Sequence, residues 1–181
     1  MTIVILHGIQ GHAGIHWQQW LYDELIKLNY KVLMPNLPNA DLPNRKEWQK
    51  FITDLINSIP RDEEIIIVGH SLGVTSALDF LEQADRKIKK LISISGFHLD
   101  CNSELNSYFM KEKEIDFDKV LNNLESSVVW YGDNDPYVPQ EILFSLATAL
   151  KTTPMLFPAA GHLNTEAGFT QFPKLLEEII K

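Results

Sequence analysis

Cysteine is almost missing from this chain: among 181 residues, Cys101 stands alone. It cannot close an intramolecular disulfide, which removes the stapled secreted scaffolds and points to a reducing cytoplasm. Basic residues are in the minority, 16 Lys and Arg against 24 Asp and Glu, for a net charge of −8. That balance lacks the basic face that nucleic-acid phosphates or an anionic membrane surface would call for. No stretch approaches the roughly 20 apolar residues of a membrane helix. The opening run Thr2-Ile3-Val4-Ile5-Leu6 has no basic leader before it and is too short for a signal peptide. Repeats, low-complexity tracts and linkers are absent, and so is the G-x-x-x-x-G-K-S/T loop that cradles nucleotide phosphates. The expectation is one soluble, cytoplasmic, monomeric domain over residues 1–181, with neither nucleic acid nor membrane as partner.

Short apolar runs alternate with amphipathic periods along the whole chain. Strands are expected at 2–6, 31–34, 64–68, 91–95, 127–131 and 153–157, each compact and closed by Gly, Pro or a polar turn. Helical spacing joins Trp17, Trp20, Leu21 and Leu25, then Trp48, Phe51, Ile52, Leu55 and Ile56 up to Pro60. Further periods follow Ser71, begin at Phe117 and Ile142, and close the chain from Phe172. This alternation predicts an α/β fold: a parallel sheet of about six strands with helices on both faces. The one long unpatterned stretch, 97–116, is the only room for a small lid. The loop from Pro35 to Pro43, stiffened by three prolines, belongs at the carboxyl edge of the sheet, where open α/β folds bind ligands.

Within this pattern, Gly69-His70-Ser71-Leu72-Gly73 joins the strand run Ile65-Ile66-Ile67-Val68 directly to a helix. A serine on so sharp a turn takes a strained backbone, and side chains two residues before and after it would collide with their neighbours. Glycine removes the collision. The hydroxyl is lifted clear of the sheet above a helix amino terminus, whose free N–H groups favour a developing anion.

A serine nucleophile in this architecture is followed in chain order by an acid and then a histidine. Of six histidines, His98 and His162 come after Ser71 with room for an acid between. For His98 the available acids, Asp79, Glu82 and Asp85, fall on or just past the helix after Ser71, at the wrong end of the sheet. His162 lies just after the last expected strand, at the carboxyl edge. Its acid should follow the strand 127–131, where Gly132-Asp133-Asn134-Asp135-Pro136 offers two aspartates. Asp135 is favoured, because the proline after it holds it extended and out of the helix; Asp133 is assigned a turn or capping role.

Other chemistry-bearing residues have plainer readings. His12 and His16 are four apart, but Gly14 lies between them and no acidic third ligand is placed as in H-E-x-x-H, so no metal site is expected. His70 is read as packing, His7 as ordering the loop after the first strand, Cys101 as a bystander thiol, and Trp17, Trp20 and Trp48 as core. The run Lys111-Glu112-Lys113-Glu114 is read as solvated surface.

With these pieces placed, the chain resembles the α/β-hydrolase superfamily. Within it the chain is similar to the small, nearly lidless YdeN-like serine hydrolases related to the retinoblastoma-binding-protein type. The resemblance rests on His7-Gly8, His16-Trp17 with Trp20, Met34-Pro35-Asn36-Leu37-Pro38, Pro43, Trp48, Val68 through Gly73, Gly132 through Pro139, and Gly161-His162-Leu163-Asn164 with Gly168. It implies a Ser71–His162–Asp135 triad, hydrolysis of a small ester or amide, and no cofactor. The oxyanion would be held by the backbone N–H of Leu72 and by one from the loop after the first strand, at Ile9 or alternatively Gln10. Two competing readings keep the fold: a binding partner that has lost turnover, and a lyase or cofactor-free haloperoxidase.

Overall fold

The computed structural model describes residues 1–181. Six strands form: β1 (Thr2–Leu6), β2 (Lys31–Leu33), β3 (Ile65–His70), β4 (Lys90–Ile94), β5 (Ser127–Gly132) and β6 (Met155–Phe157). All are parallel, in the order β2-β1-β3-β4-β5-β6. Between and after them run α1 (Gln18–Lys27), α2 (Arg45–Asn57), α3 (Leu72–Leu81), α4 (Ser107–Met110), α5 (Phe117–Asn122), α6 (Gln140–Ala149) and α7 (Pro173–Ile180). Strand ends differ from expectation by two residues at most. β3 runs on because Gly69 and His70 stay in register with Ser93 and Ile94. β6 starts late because Pro154 has no N–H to give a ladder.

Strand alternation divides the core in two. Ile3, Ile5, Ile66, Val68, Ile92, Ile94 and Trp130 face α1 and α7. Val4, Leu6, Ile65, Ile67, Leu91, Val129 and Tyr131 face α2, α3, α5 and α6. Apolar side chains are thus buried on both faces of every central strand, which is why these runs read as nearly continuous hydrophobic segments. All ten residues of α3 are buried, Asp79 included. That helix was expected to be amphipathic, but α2 packs over it and leaves it no solvent side. No helix is long and apolar enough to cross a membrane.

The chain leaves β1 toward β2 on one side, then crosses to β3 on the other. The loops after β1 and β3 therefore diverge and open a crevice at the carboxyl ends of these strands.

The stretch 97–116 is not structureless. It carries α4, whose Phe109 and Met110 are buried in the larger core. Arg45, 2% exposed at the start of α2, fastens it. Its Nε and Nη2 donate to Asp79 Oδ2 and Oδ1 at 2.8 and 2.9 Å. Its Nη1 donates to the carbonyls of Phe109, Met110 and Lys113 at 3.2, 3.1 and 2.8 Å. Lys113 also bonds Asp79 and Glu82. The run 111–114 is therefore not simply solvated: a fully buried carboxylate at Asp79 draws in a second cation.

Candidate active site

Ser71 sits between β3 and α3 with φ 55° and ψ −127°, a strained left-handed conformation for a residue with a side chain. The fold holds it there. Its N–H donates to the Ile94 carbonyl at 3.0 Å, and its carbonyl accepts from Val74 N–H at 3.0 Å. The flanking glycines are sterically required. A Cβ on Gly73 would stand 2.5 Å from the His7 carbonyl oxygen, and one on Gly69 would stand 2.9 Å from Val74 Cγ2.

Asp135 and His162 meet from the loops after β5 and β6. His162 Nδ1 lies 2.7 Å from Asp135 Oδ2, with the carboxylate side chain 0% exposed and the imidazole 8%. The other carboxylate oxygen accepts the N–H groups of Tyr137 at 2.9 Å and Val138 at 3.1 Å. Asp135 can only accept, so His162 carries its proton on Nδ1 and presents the Nε2 lone pair. The two residues before the acid grip the same loop: Asp133 Oδ1 accepts from Ala159 N–H and Asn134 Oδ1 from Gly161 N–H, each at 2.8 Å. The loop runs so close over β5 that any Cβ at Gly132 would strike the Gly161 carbonyl.

Residues 162 and 163 are tied from the opposite side as well. His70 Nε2–H donates to the His162 carbonyl at 3.0 Å, and Trp17 Nε1–H donates to the Leu163 carbonyl at 2.9 Å. Complete burial pushes the His70 imidazole well below the usual histidine range, so it stays neutral and keeps that donor. The packing expected for His70 is there, with its ring edge-on to Trp17, His16 and His162, but it also holds the histidine loop. Sequence reasoning missed this role, because the contact joins residues 92 positions apart. The only local signal was a histidine beside the serine.

The loop after β1 reaches Ser71 from the other wall. A Cβ on Gly8 would come within 2.9 Å of Ser71 Cβ. His7 Nδ1–H donates to Gly8 O at 2.8 Å, while its Nε2 accepts from Leu37 N–H at 2.9 Å, joining this loop to the proline-rich one. Gln10 N–H is spent on the Ala40 carbonyl at 2.7 Å, whereas Ile9 N–H has no acceptor. The Leu72 N–H, first in α3, has no carbonyl a turn before it.

Ser71, His162 and Ile9 line one cleft of about 450 Å³, together with His70, Phe97, Leu105, Asn106 and Val138. Asp135 sits behind His162, out of the lining. No hydrogen bond joins Ser71 Oγ to His162; such contacts often tighten only when substrate is bound. His16 Nδ1 accepts from Thr165 N–H at 3.2 Å, and His12 Nδ1 faces its neighbour's carbonyl. Over the His162 ring lies Tyr137, edge-on at 5.1 Å, its hydroxyl donating to Glu166 Oε2 at 2.6 Å. That bond raises the Tyr137 phenol and lowers the Glu166 carboxyl.

The profile of the serine hydrolase family matches residues 3–180. Serine hydrolase RBBP9 of Rattus norvegicus is 25% identical over 162 residues, covering 86% of this chain and 83% of that protein. Among solved structures, the ydeN gene product of B. subtilis superposes with a TM-score of 0.90 at 23% identity, over 99% of this chain and 96% of that one. Est1E of Butyrivibrio proteoclasticus, solved with ferulic acid bound, gives 0.72 at 18% identity over 99% and 90%. The profile match runs from the first strand into the last helix and takes in every loop that builds the cleft, so the chain belongs to the serine hydrolase family, with a small α/β-hydrolase fold similar to those of the ydeN product and its neighbours.

Proposed function

We propose that this protein cleaves small esters or amides through an acyl-enzyme on Ser71, with His162 as base and Asp135 as its partner. The observation that carries the reading is the 2.7 Å His162–Asp135 contact facing the same cleft as a serine held at φ 55°. His162 Nε2 takes the hydroxyl proton as Ser71 Oγ attacks the acyl carbon. The imidazolium is stabilised by Asp135, which keeps its negative charge. The proton passes to the leaving group as the old bond breaks. Water then attacks the acyl-enzyme with His162 again as base, releasing the acid. The oxyanion is held by the N–H groups of Leu72 and Ile9, each worth roughly 10²–10³ in turnover. His70 and Trp17 act as positioning residues, each donating a hydrogen bond to a backbone carbonyl of the histidine loop. A cleft of about 450 Å³ suits a small acyl substrate.

Labelling by a fluorophosphonate probe, followed by peptide mapping, should find Ser71. The Ser71→Ala variant should lose both labelling and hydrolysis of 4-nitrophenyl acetate while keeping its circular dichroism. A folded Ser71→Ala protein that still turns over the ester would end the proposal.

A further inference from the structure

The polarity of the cleft is lopsided. Of the 18 residues that line it, none is Lys or Arg, and Glu166 is the single acidic one. The remaining polar groups are Gln10, Asn106, Asn164, hydroxyls and three histidines. Burial holds His16 and His70 below the usual histidine range, so neither offers a cation at neutral pH. Glu166 is exposed at the rim and is held there by one hydrogen bond. It sits in the 3-10 turn Thr165–Ala167, just past the histidine loop, and its carboxylate accepts the Tyr137 hydroxyl at 2.6 Å. Tyr137 in turn packs edge-on against the His162 ring at 5.1 Å. The carboxylate is therefore tied to the ring that packs against the base, and it lines the same cleft. The chain as a whole carries −8.

Resting on the hydrolase reading above, we infer that this cleft selects against anionic substrates, above all those with a carboxylate or phosphate in the leaving group, and that Glu166 sets the discrimination. An anion entering there meets a like charge and finds no guanidinium or ammonium to replace its lost hydration. Neutral esters meet no such barrier.

The pair 4-acetoxybenzoate and methyl 4-acetoxybenzoate tests this, since they differ in charge on the leaving group but share the same acetyl. With each rate divided by its spontaneous hydrolysis, kcat/KM should favour the neutral ester by about tenfold, the scale of a like-charge contact across partly solvated surface. The ratio should shrink several-fold in Glu166→Gln. It should also shrink in the wild-type protein at 1 M salt, where screening acts within about 3 Å, and change little with salt in Glu166→Gln. A purely structural role for Glu166 would lower both rates without moving the ratio or its salt dependence. Equal kcat/KM for the two esters, or a ratio that Glu166→Gln leaves unmoved, would overturn the inference. Calorimetric binding of 4-hydroxybenzoate and methyl 4-hydroxybenzoate to Ser71→Ala reads the same discrimination without turnover. Failure of the hydrolase reading, seen as no cleavage of either ester, is thereby kept separate: equal binding of the two phenols refutes charge selection, and tighter binding of the neutral one supports it.

Discussion

Residues 159–165 and residues 97–116 both overhang the carboxyl ends of the strands, but they are fastened in different ways. In the first, six groups are held by side chains from elsewhere: Ala159 N–H by Asp133, Gly161 N–H by Asn134, the His162 ring by Asp135, its carbonyl by His70, the Leu163 carbonyl by Trp17, and Thr165 N–H by His16. In the second, long-range anchorage sits at the two ends: Thr75 Oγ1 donates to the Phe97 carbonyl at 2.7 Å, and Arg45 holds the carbonyls of residues 109, 110 and 113. The part that faces the cleft is held mainly by its own neighbours: Asn102 N–H and Ser107 Oγ bond to Asp100, and Leu105 N–H bonds to Ser103. Asn106 Oδ1 is buried there with no partner. Proton transfer tolerates little displacement, so the histidine loop is over-determined. The segment that shapes the rest of the cleft is left adjustable.

Breaking the tight side should cost most. Asp135→Asn removes the acceptor that fixes the His162 tautomer, and kcat should fall about 10³–10⁴-fold in a normally folded protein, as read by ester hydrolysis beside circular dichroism. Next in size is the far anchor of the loose side. Arg45→Met leaves Asp79 buried beside only Lys113, and urea unfolding should show a loss of about 3–5 kcal/mol. Arg45→Met combined with Asp79→Leu should recover most of it, since no charge is then stranded. His70→Phe keeps an aromatic ring but leaves the His162 carbonyl unpaired. Its kcat should drop about 10–100-fold with KM little changed, and His70→Gln, which still offers an N–H, should restore part of the rate. An equal fall in both variants would mean that packing alone matters at this position.

On the adjustable side, Asn106→Leu should move KM by about three- to fivefold across a series of acyl chain lengths, favouring longer chains, with a much smaller effect on kcat. A separate effect concerns pH. Burial lowers the His98 imidazole to about 4, whereas the unfolded chain takes up that proton near 6.5. Between those values the unfolded state binds more protons, so stability should be flat above about 6.5 and decline as pH falls toward about 4. His7, His16 and His70, all lowered by burial, act in the same sense. His98→Phe, beside Phe117 at 4.9 Å, should make the decline of the urea midpoint shallower.

What could be read from the sequence follows the range of the forces involved. Strands showed themselves because burial on both faces demands unbroken apolar runs, and the turn at Ser71 because two glycines are needed within five residues. Asp135 could be favoured over Asp133 because proline constrains the residue before it, and the two now occupy different bonds, to His162 Nδ1 and Ala159 N–H. The tethers from Trp17, His70 and Arg45 left no local trace. They join residues 146, 92 and 34 positions apart, and each of these side chains also reads plausibly as core, packing or surface. Helix α4 escaped because four residues are too few to show a helical period. That Gln10 N–H is spent on the Ala40 carbonyl is a contact no local pattern encodes.

Asp133, Asn134 and Asp135 grip the facing loop in sequence, at 159, 161 and 162, like teeth in a rack. Adding or deleting one residue on either side would disengage all three teeth at once rather than shift one of them. Length variation in this protein's descendants should therefore collect elsewhere along the rim, and the two strips should change length together or not at all.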